Sequence, residues 1–281
     1  MRKRWMWGLL CCLLLAMLLP LPARADIGPK PSTTVTISGI SGEKAYATLL
    51  SGESPWGPYQ AWDGYSRNER LTEEGHEIWQ KFARYEDPDG FYFLQEYWYC
   101  TDAQGFTWGY HPPDVFKILL YFPETGAFLT SGVLERYAFE SYFHCAVSGG
   151  GMQVQASYDY SRGLSRAALR AALTILLEAG LALLFGYREK KQLLLFAGTN
   201  LITQGLLYIS LYLITYWKGP WAFWFWFVAL ELAVFILEAA VYSLLIGRCS
   251  RERQPPGRAC RYALVANLLS CGLGMALSRL P

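Results

Sequence analysis

Two glutamates lie inside an apolar stretch of the sequence that runs from Trp221 to Ile246. Glu231 and Glu238 are seven residues apart, so on a helix they return to within about 20° of the same face. An ionised carboxylate in the middle of a membrane costs about 3 kcal/mol, so both groups are expected to face a bundle interior and to be paired or protonated. The pattern is typical of a proton or cation pathway, of a polar pocket, or of hydrogen-bonded cross-links between helices.

Further polar residues recur at similar depths in the neighbouring apolar stretches. Counted from the nearest basic loop, four side chains lie about 12 to 14 Å along their helices: Glu178, Asn200, Glu238 and Ser270. Asn267 lies about one turn from Ser270, and Gln204 about one turn from Asn200. The spacing predicts a ladder in which Asn200 pairs with Glu238 and Gln204 with Glu231, with no Lys or Arg at the same depth.

The elements that must position these groups are four predicted transmembrane helices, at residues 164–185, 193–216, 221–246 and 262–277. The first carries Arg166 and Arg170 near its start. The loops at 186–192 and 247–261 are basic, and the second contains five arginines: Arg248, Arg251, Arg253, Arg258 and Arg261. Because basic loops stay in the cytoplasm, both are predicted to face inward. The second loop either contacts the anionic inner leaflet or a cytoplasmic partner, or only sets the orientation.

The first 25 residues have the layout of a secretory signal peptide. Basic residues at positions 2–4 precede an apolar stretch at 7–19, and residues 23–25 (Ala-Arg-Ala) fit an A-x-A cleavage site. The alternative, an uncleaved anchor, needs about 20 apolar residues, more than this stretch provides. Cleavage is therefore predicted, and residues 26–160 are predicted to be exported.

Charge divides the rest of the chain into two unlike parts. Residues 26–160 carry 18 Asp and Glu against 8 Lys and Arg, a net charge of −10, whereas residues 161–281 carry 5 against 13, a net charge of +8. The predicted fold class is thus an exported β-rich, sandwich-like α+β domain followed by an all-α membrane bundle of about four transmembrane helices.

The exported domain is predicted to contain two hairpins and one helix. Short segments rich in β-branched and aromatic residues place one hairpin at residues 35–50, turning at 41–43, and the other at 116–129, turning at 123–126. Between them, residues 72–86 have apolar side chains at helical spacing. One helix is therefore expected against the sheet.

Cys100 and Cys145 are the only cysteines between residues 26 and 160. Export favours a disulfide between them, although two buried free thiols also fit the sequence. The same domain has four aromatic residues in a segment rich in Gly, Pro and Ser: Trp56, Tyr59, Trp62 and Tyr65. Such side chains either contact a ligand or a protein partner, or cap the open end of the core.

No catalytic pattern is recognisable, so the chain is not predicted to be an enzyme. The three histidines, His76, His111 and His144, belong to no metal-binding motif such as HExxH. The serines and glycines match neither a nucleophile elbow nor a phosphate loop. No cofactor, metal ion or nucleic acid is predicted to bind.

Seven short sequences carry a resemblance to known proteins: DIGPKPS (26–32), FTWGY (106–110), LLYFPET (119–125), ERYAF (135–139), LLFGYREKKQ (183–192), ELAVFILEA (231–239) and YALVAN (262–267). With them the chain resembles a family of uncharacterised bacterial envelope proteins. The resemblance spans nearly all of the chain after residue 25 and implies an exported domain followed by a helical bundle. It brings no activity, ligand or catalytic residue to any position.

Two functions fit these features best. In the first, the exported domain binds or senses an envelope ligand or protein partner, and the bundle anchors it in the lipid bilayer. The alternative is a small transporter or a proton or cation pathway through Glu231 and Glu238. Four helices per chain are few for transport, so the alternative requires a homo-oligomer or a partner protein.

Overall fold

The computed structural model describes residues 28–40, 42–53, 71–251 and 254–277. Three predicted features lie outside these residues: the signal peptide at 1–25, Arg253, and the aromatic residues Trp56, Tyr59, Trp62 and Tyr65. The described chain has a β-rich N-terminal part and a helical C-terminal part, as the sequence predicts.

The β-rich part contains two sheets. Its strands are β1 (Ser32–Ser38), β2 (Ala45–Ser51), β3 (Tyr92–Phe93), β4 (Trp98–Cys100), β5 (Phe106–Trp108), β6 (Val115–Phe122), β7 (Ala127–Thr130), β8 (Leu134–Glu135), β9 (Glu140–Ser148) and β10 (Gly151–Ala156). The first sheet has the order β10-β9-β1-β5, with β1 and β9 parallel. The second has the order β3-β2-β6-β7, with β4 also paired to β2 and β8 to β6.

The two sheets share one hydrophobic core. Val35 and Ile37 of β1 and Phe143 of β9 meet Leu49 of β2 and Ile118 of β6, and all five are buried. Each such side chain stabilises the folded state by about 1.5–3 kcal/mol relative to leaving it exposed. The core therefore accounts for the sandwich-like arrangement.

Helix α1 (Glu73–Ala83) covers the outer face of the second sheet. It begins after Thr72, whose hydroxyl accepts a hydrogen bond from the N–H of Gly75 over 3.2 Å. Its apolar side carries Trp79 and Phe82, which are buried against the sheet. The predicted helix at residues 72–86 is confirmed, and it ends about one turn earlier than the apolar spacing indicates.

One of the two predicted hairpins is confirmed and the other is wrong. β6 pairs with β7 in antiparallel fashion across residues 123–126. β1 and β2, however, lie in different sheets, so the two strands do not form a hairpin. The burial patterns give the reason: β1 alternates and needs cover on one face, whereas β2 is buried at all but one position and needs cover on both.

The predicted disulfide is also corrected, because Cys100 and Cys145 are free thiols in the structure. Cys100 lies on β4 of the second sheet and Cys145 on β9 of the first, and both are buried in the shared core. Burial raises the pKa of Cys100 to about 12 and the pKa of Cys145 to about 11. Both side chains therefore act as small apolar core residues.

Four helices follow the β-rich part: α2 (Tyr160–Leu184), α3 (Lys190–Lys218), α4 (Pro220–Leu245) and α5 (Pro256–Leu277). Where these helices are longer than the predicted stretches, the added residues are mainly polar. Charged residues can continue a helix when neighbouring helices support it. α2 contacts α3 and α5, and α4 contacts the same two helices. The four helices therefore form a closed ring of neighbours with a common interior.

The outer surface of this bundle is apolar. α3 and α4 are long and apolar enough to cross a membrane. In the apolar 18-residue segment of each helix, however, only 22% and 17% of the residues are buried. Large apolar side chains such as Leu201, Phe225 and Leu244 are exposed, whereas Asn200 and Glu238 are buried. This distribution is the reverse of that in a water-soluble helical bundle.

The β-rich part contacts the end of the bundle at the turn between α3 and α4. The backbone N–H of Phe139 donates to the carbonyl of Tyr216 over 2.8 Å. The ring of Tyr216 lies 6.4 Å from the ring of Tyr137 and 5.6 Å from that of Tyr158. Gly219 has a φ of 83°, and a Cβ at this position would lie 2.5 Å from the ring of Phe139. Glycine is therefore required for this close approach.

Candidate functional site

The polar side chains inside the bundle divide into bonded groups and one open cavity. Among the bonded groups, Glu238 on α4 is fully buried, and both of its carboxylate oxygens accept hydrogen bonds. Thr203 on α3 donates to Oε1 over 2.6 Å, and Asn267 on α5 donates to Oε2 over 2.7 Å. Glu238 thus cross-links three helices.

Glu178 forms the second bonded group. The amide of Asn200 donates to Oε2 of Glu178, and the hydroxyl of Tyr262 donates to the backbone carbonyl of Glu178 over 3.2 Å. The predicted pairing of Asn200 with Glu238 is therefore wrong. Asn200 faces α2, whereas Thr203, three residues further along the same helix, faces α4 and takes the predicted place.

A layer of aromatic side chains closes the bundle on the side of the two basic loops. The ring of Phe196 lies 4.5 Å from that of Tyr262, 4.8 Å from that of Tyr242 and 5.0 Å from that of Tyr187. All four side chains are buried and belong to one hydrophobic cluster. The four rings therefore fill the core between the polar interior and the basic loops.

A cavity of about 190 Å³ lies in the other half of the bundle, nearer the β-rich part. All four helices contribute to its wall. Its polar lining consists of Arg170, Thr174, Gln204, Tyr208, Glu231 and Ser270. The cavity is therefore a small site with one cationic and one anionic side chain.

Glu231 differs from Glu178 and Glu238 because it is only half-buried and accepts no hydrogen bond from a described residue, although Oε1 of Glu178 also lacks a partner. Its buried Oε2 atom has no hydrogen-bond partner in the described part of the chain. Gln204, the predicted partner of Glu231, lines the same cavity, but no hydrogen bond joins the two side chains. Glu231 therefore lines the cavity as a carboxyl group that no described residue binds.

Arg170 supplies the positive charge of the cavity. One guanidinium nitrogen donates to the carbonyl of Gly274 over 3.1 Å, and the charge of Glu231 acts on the same group. Within the described ranges no ion pair joins Arg170 to Glu231, so the two charges face the cavity separately. The prediction that no Lys or Arg lies at this depth is wrong, because α2 begins at Tyr160 and reaches the level of Glu231 by Arg170.

The cavity opens sideways between α2 and α3. Four lining residues on these two helices are exposed on the outer surface: Leu164, Ala168, Leu201 and Gly205. Two of them are small, and a Cβ added at Gly205 would meet no atom within 4 Å. The entrance therefore has an apolar rim and remains open.

Three stacked tyrosines connect the cavity to the β-rich part. On α3 the ring of Tyr208, which lines the cavity, lies 6.1 Å from that of Tyr212, and Tyr212 lies 6.2 Å from Tyr216. Tyr216 in turn accepts the backbone hydrogen bond from Phe139. This column is one packing route between the cavity and the β-rich part.

The basic loops form a separate groove of about 580 Å³ at the other end of the bundle. Its cationic lining consists of Arg188, Lys190, Lys191, Arg248 and Arg251. Its carboxylate, Glu189, already accepts the N–H of Arg251 over 2.9 Å. Arg258 instead turns inward, donates to the carbonyl of Phe185 and lies 5.2 Å from the ring of Tyr187, while Arg261 is exposed.

The β-rich part contains one buried ion pair that the sequence analysis did not identify. Lys117 on β6 is almost fully buried and contacts both carboxylate oxygens of Asp87, at 3.0 and 2.9 Å. Asp87 also accepts the N–H of Asp89 over 3.0 Å, which shapes the turn at 87–90. The signal was a lone lysine within an otherwise apolar strand, which requires a buried partner.

No group of His, Cys, Asp and Glu in the described residues is arranged to hold a metal ion. The fold and the site together define a two-part protein, in which a β-rich domain contacts a helical bundle with an apolar exterior and a charged cavity. Comparison with known protein families and with curated proteins finds no match for the chain. The family resemblance of the sequence therefore stays a prediction.

Proposed function

We propose that the protein is a multi-pass membrane protein whose helices α2–α5 span the bilayer. The β-rich domain lies outside the membrane after removal of the signal peptide, and the loops at 186–192 and 247–261 lie in the cytoplasm. The apolar outer surface of the bundle supports this arrangement, as does the position of the basic loops at the end opposite the β-rich domain.

Within this arrangement the protein binds a ligand in the cavity of the bundle. The observation that carries the proposal is the contrast between the carboxyls: Glu178 and Glu238 accept hydrogen bonds from other helices, whereas Glu231 accepts none from a described residue and lines the cavity together with Arg170. A buried acceptor without a partner costs about 1–3 kcal/mol. A ligand that donates to Glu231 removes this cost, which favours binding.

The interior favours binding over conduction. A proton or cation that reaches Glu231 must still pass Glu238, whose two oxygens are occupied, and then the aromatic layer around Phe196. The polar atoms of that layer are tyrosine hydroxyls, and the hydroxyl of Tyr262 is held by the backbone carbonyl of Glu178. The bundle is therefore proposed to hold a ligand rather than to pass one.

The β-rich domain is proposed to sense whether the cavity is occupied. Tyr208 lines the cavity, and the stacked rings of Tyr212 and Tyr216 lead to the backbone hydrogen bond with Phe139. A ligand that displaces Tyr208 shifts the column beneath the domain. A single helix would be enough to anchor the domain, whereas the cavity and its contact with the domain require the bundle.

Ion flux tests binding against conduction. Liposomes that contain the protein, its Glu231→Gln variant or no protein are given a proton gradient and then a potassium gradient, with an ionophore as the positive control. We expect the protein to add no flux above that of empty liposomes. A wild-type flux that disappears in Glu231→Gln would contradict the proposal and support transport.

Thiol labelling tests the orientation. Cys249 and Cys260 lie in or beside the second basic loop, and Cys260 is exposed. A membrane-impermeant maleimide added to intact cells should leave both unlabelled, whereas the same reagent should label Cys260 after the cells are opened. Labelling of Cys260 in intact cells would reverse the proposed topology.

A further inference from the structure

We propose that the cavity binds the headgroup of a membrane lipid that carries a phosphate and a primary ammonium group. The inference rests on the proposed function, because it names the ligand of the same cavity. The three observations that lead to it are the separated charges of Arg170 and Glu231, the sideways entrance, and the small volume of the cavity.

The two charges select a ligand that has one charge of each sign. The planar guanidinium of Arg170 has five N–H donors, and its hydrogen bond to Gly274, the one it makes among the described residues, leaves others for phosphate oxygens. The carboxyl of Glu231, which no described residue binds, accepts from a cationic donor. A purely anionic headgroup would leave Glu231 without a partner, and a purely cationic one would do the same to Arg170.

The unbonded oxygen of Glu231 favours a primary ammonium over a quaternary one. A primary ammonium donates three hydrogen bonds, and Gln204 and Ser270 offer further polar atoms in the same wall. A quaternary ammonium has no N–H and is bound by cages of several aromatic rings. Tyr208 is the only aromatic residue among those that line the described cavity.

The size and entrance of the cavity favour a lipid whose chains remain in the bilayer. About 190 Å³ is below the roughly 300–1,000 Å³ of pockets that enclose a drug-sized molecule, so the cavity takes a headgroup and not a whole lipid. The exposed side chains of Leu164 and Leu201 flank the entrance between α2 and α3. An apolar rim suits acyl chains and not a ligand that arrives from water.

Lipid retention tests the inference. The purified full chain in mild detergent is incubated with equal amounts of phosphatidylethanolamine, phosphatidylcholine and phosphatidylglycerol that share the same acyl chains, and retained lipid is counted by native mass spectrometry. We expect the wild-type protein to retain phosphatidylethanolamine about tenfold over phosphatidylcholine, since one charge-assisted hydrogen bond is gained. Glu231→Gln should abolish this preference, and Arg170→Gln should lower the retention of all three lipids.

A matched pair of variants tests whether the lipid occupies the cavity. Gly205→Leu fills the entrance, whereas Gly198→Leu places the same side chain at another exposed position of α3, where a Cβ also meets no atom within 4 Å. Only Gly205→Leu should reduce the retention of phosphatidylethanolamine. Each variant is used only if its elution volume and thermal midpoint match those of the wild type, and the Glu231→Gln result stands independently of both.

The outcomes separate the inference from the proposed function. Equal retention of the ethanolamine and choline lipids by the wild type, or a preference that survives in Glu231→Gln, would overturn the inference. If Gly205→Leu then still displaced another lipid, ligand binding in the cavity would stand; if it displaced none, both proposals would fail. Soluble phosphoethanolamine that binds as tightly as the lipid would assign the ligand to water and overturn the lipid assignment.

Discussion

The side-chain amide of Asn267 on α5 donates a hydrogen bond of 2.7 Å to the carboxylate of Glu238 on α4. Thr203 bonds the other oxygen from α3, so a charged residue in the most apolar helix acts as a cross-link. Glu231, two turns away on the same helix, has no such partner and faces a cavity. Two carboxyls that look alike in the sequence therefore have different surroundings.

The bond between Asn267 and Glu238 predicts a measurable coupling. In a double-mutant cycle of Glu238→Leu and Asn267→Leu, the coupling free energy should be about 0.6 kcal/mol, the average for hydrogen bonds between membrane helices, and at most about 1.7 kcal/mol. Reversible unfolding in mixed detergent measures it. The control cycle of Glu231→Leu with Asn267→Leu should be additive, because no bond joins that pair. Equal coupling in both cycles would refute the distinction between the glutamates.

Loss of Lys117 should destabilise the β-rich domain strongly. Lys117→Met leaves the carboxylate of Asp87 buried without its cationic partner, which costs about 3–5 kcal/mol. Lys44→Met removes an exposed lysine and should change the free energy of unfolding by less than about 0.5 kcal/mol. Urea unfolding of the full chain, followed by tryptophan fluorescence, compares them. The double variant Lys117→Met/Asp87→Asn should recover part of the loss, and its failure to do so would contradict this explanation.

The same ion pair predicts a pH dependence. Burial alone lowers the pKa of Lys117, but its hydrogen bonds to Asp89 and Asp87 outweigh this effect and raise the pKa above the ordinary value. A raised pKa in the folded state means that the stabilisation is complete below the unfolded pKa of about 10.4 and is lost as the pH rises through the folded pKa. The stability difference between wild type and Lys117→Met should therefore be constant from pH 7 to about 10 and shrink above it. A difference that shrinks between pH 6 and 9 would contradict the assignment.

Cys100 and Cys145 should resist thiol reagents in the folded protein. Burial raises the pKa of Cys100 to about 12 and of Cys145 to about 11, so neither forms a thiolate at pH 8, and neither is accessible. In variants that retain one cysteine each, maleimide should label Cys260 rapidly and the two core cysteines only after denaturation. Rapid labelling of either core cysteine at pH 8 would show that the core is open.

Gly219→Ala should weaken the contact between the two parts. A side chain at this position is strained by the φ of 83° and would approach the ring of Phe139 to 2.5 Å, at a cost of about 1–3 kcal/mol. Limited proteolysis should then cut the chain between the β-rich domain and α2 faster than in the wild type. Gly198→Ala is the control, since its backbone is helical and the space is open. Adding Phe139→Ala to Gly219→Ala should relieve the clash but not the backbone strain. Unchanged proteolysis in Gly219→Ala would argue against the contact.

Periodicity predicted the elements better than their partners. The alternation at Val35 and Ile37 and the helical spacing at Trp79 and Phe82 were sufficient to place β1 and α1, because each pattern reports one covered face. The pairing of β1 with β2 failed because a turn at residues 41–43 indicates a change of direction and not the sheet that receives the chain. Long-range topology depends on which faces need cover, and a local turn does not encode that.

The polar residues of the bundle were found by depth, but depth does not determine which helix each one faces. Asn200 and Thr203 differ by about 60° around α3, which is enough to direct one to Glu178 and the other to Glu238. Arg170 was seen in the sequence but placed too near the end of its helix, because the prediction started α2 at residue 164 and not at Tyr160. The order of the four helices around the ring supplied the remaining information.

The central claim is that Glu231 binds a ligand and Glu238 holds the helices together. Thermal unfolding of the wild type, Glu231→Gln and Glu238→Gln, each with and without phosphatidylethanolamine, tests it most directly. We predict that Glu238→Gln lowers Tm by about 2–8 °C but keeps the lipid-induced rise, as expected for a loss of about 1–2 kcal/mol. Glu231→Gln should keep the Tm of the wild type without lipid and lose the rise. Identical behaviour of the two variants, in Tm and in response to lipid, would contradict the claim.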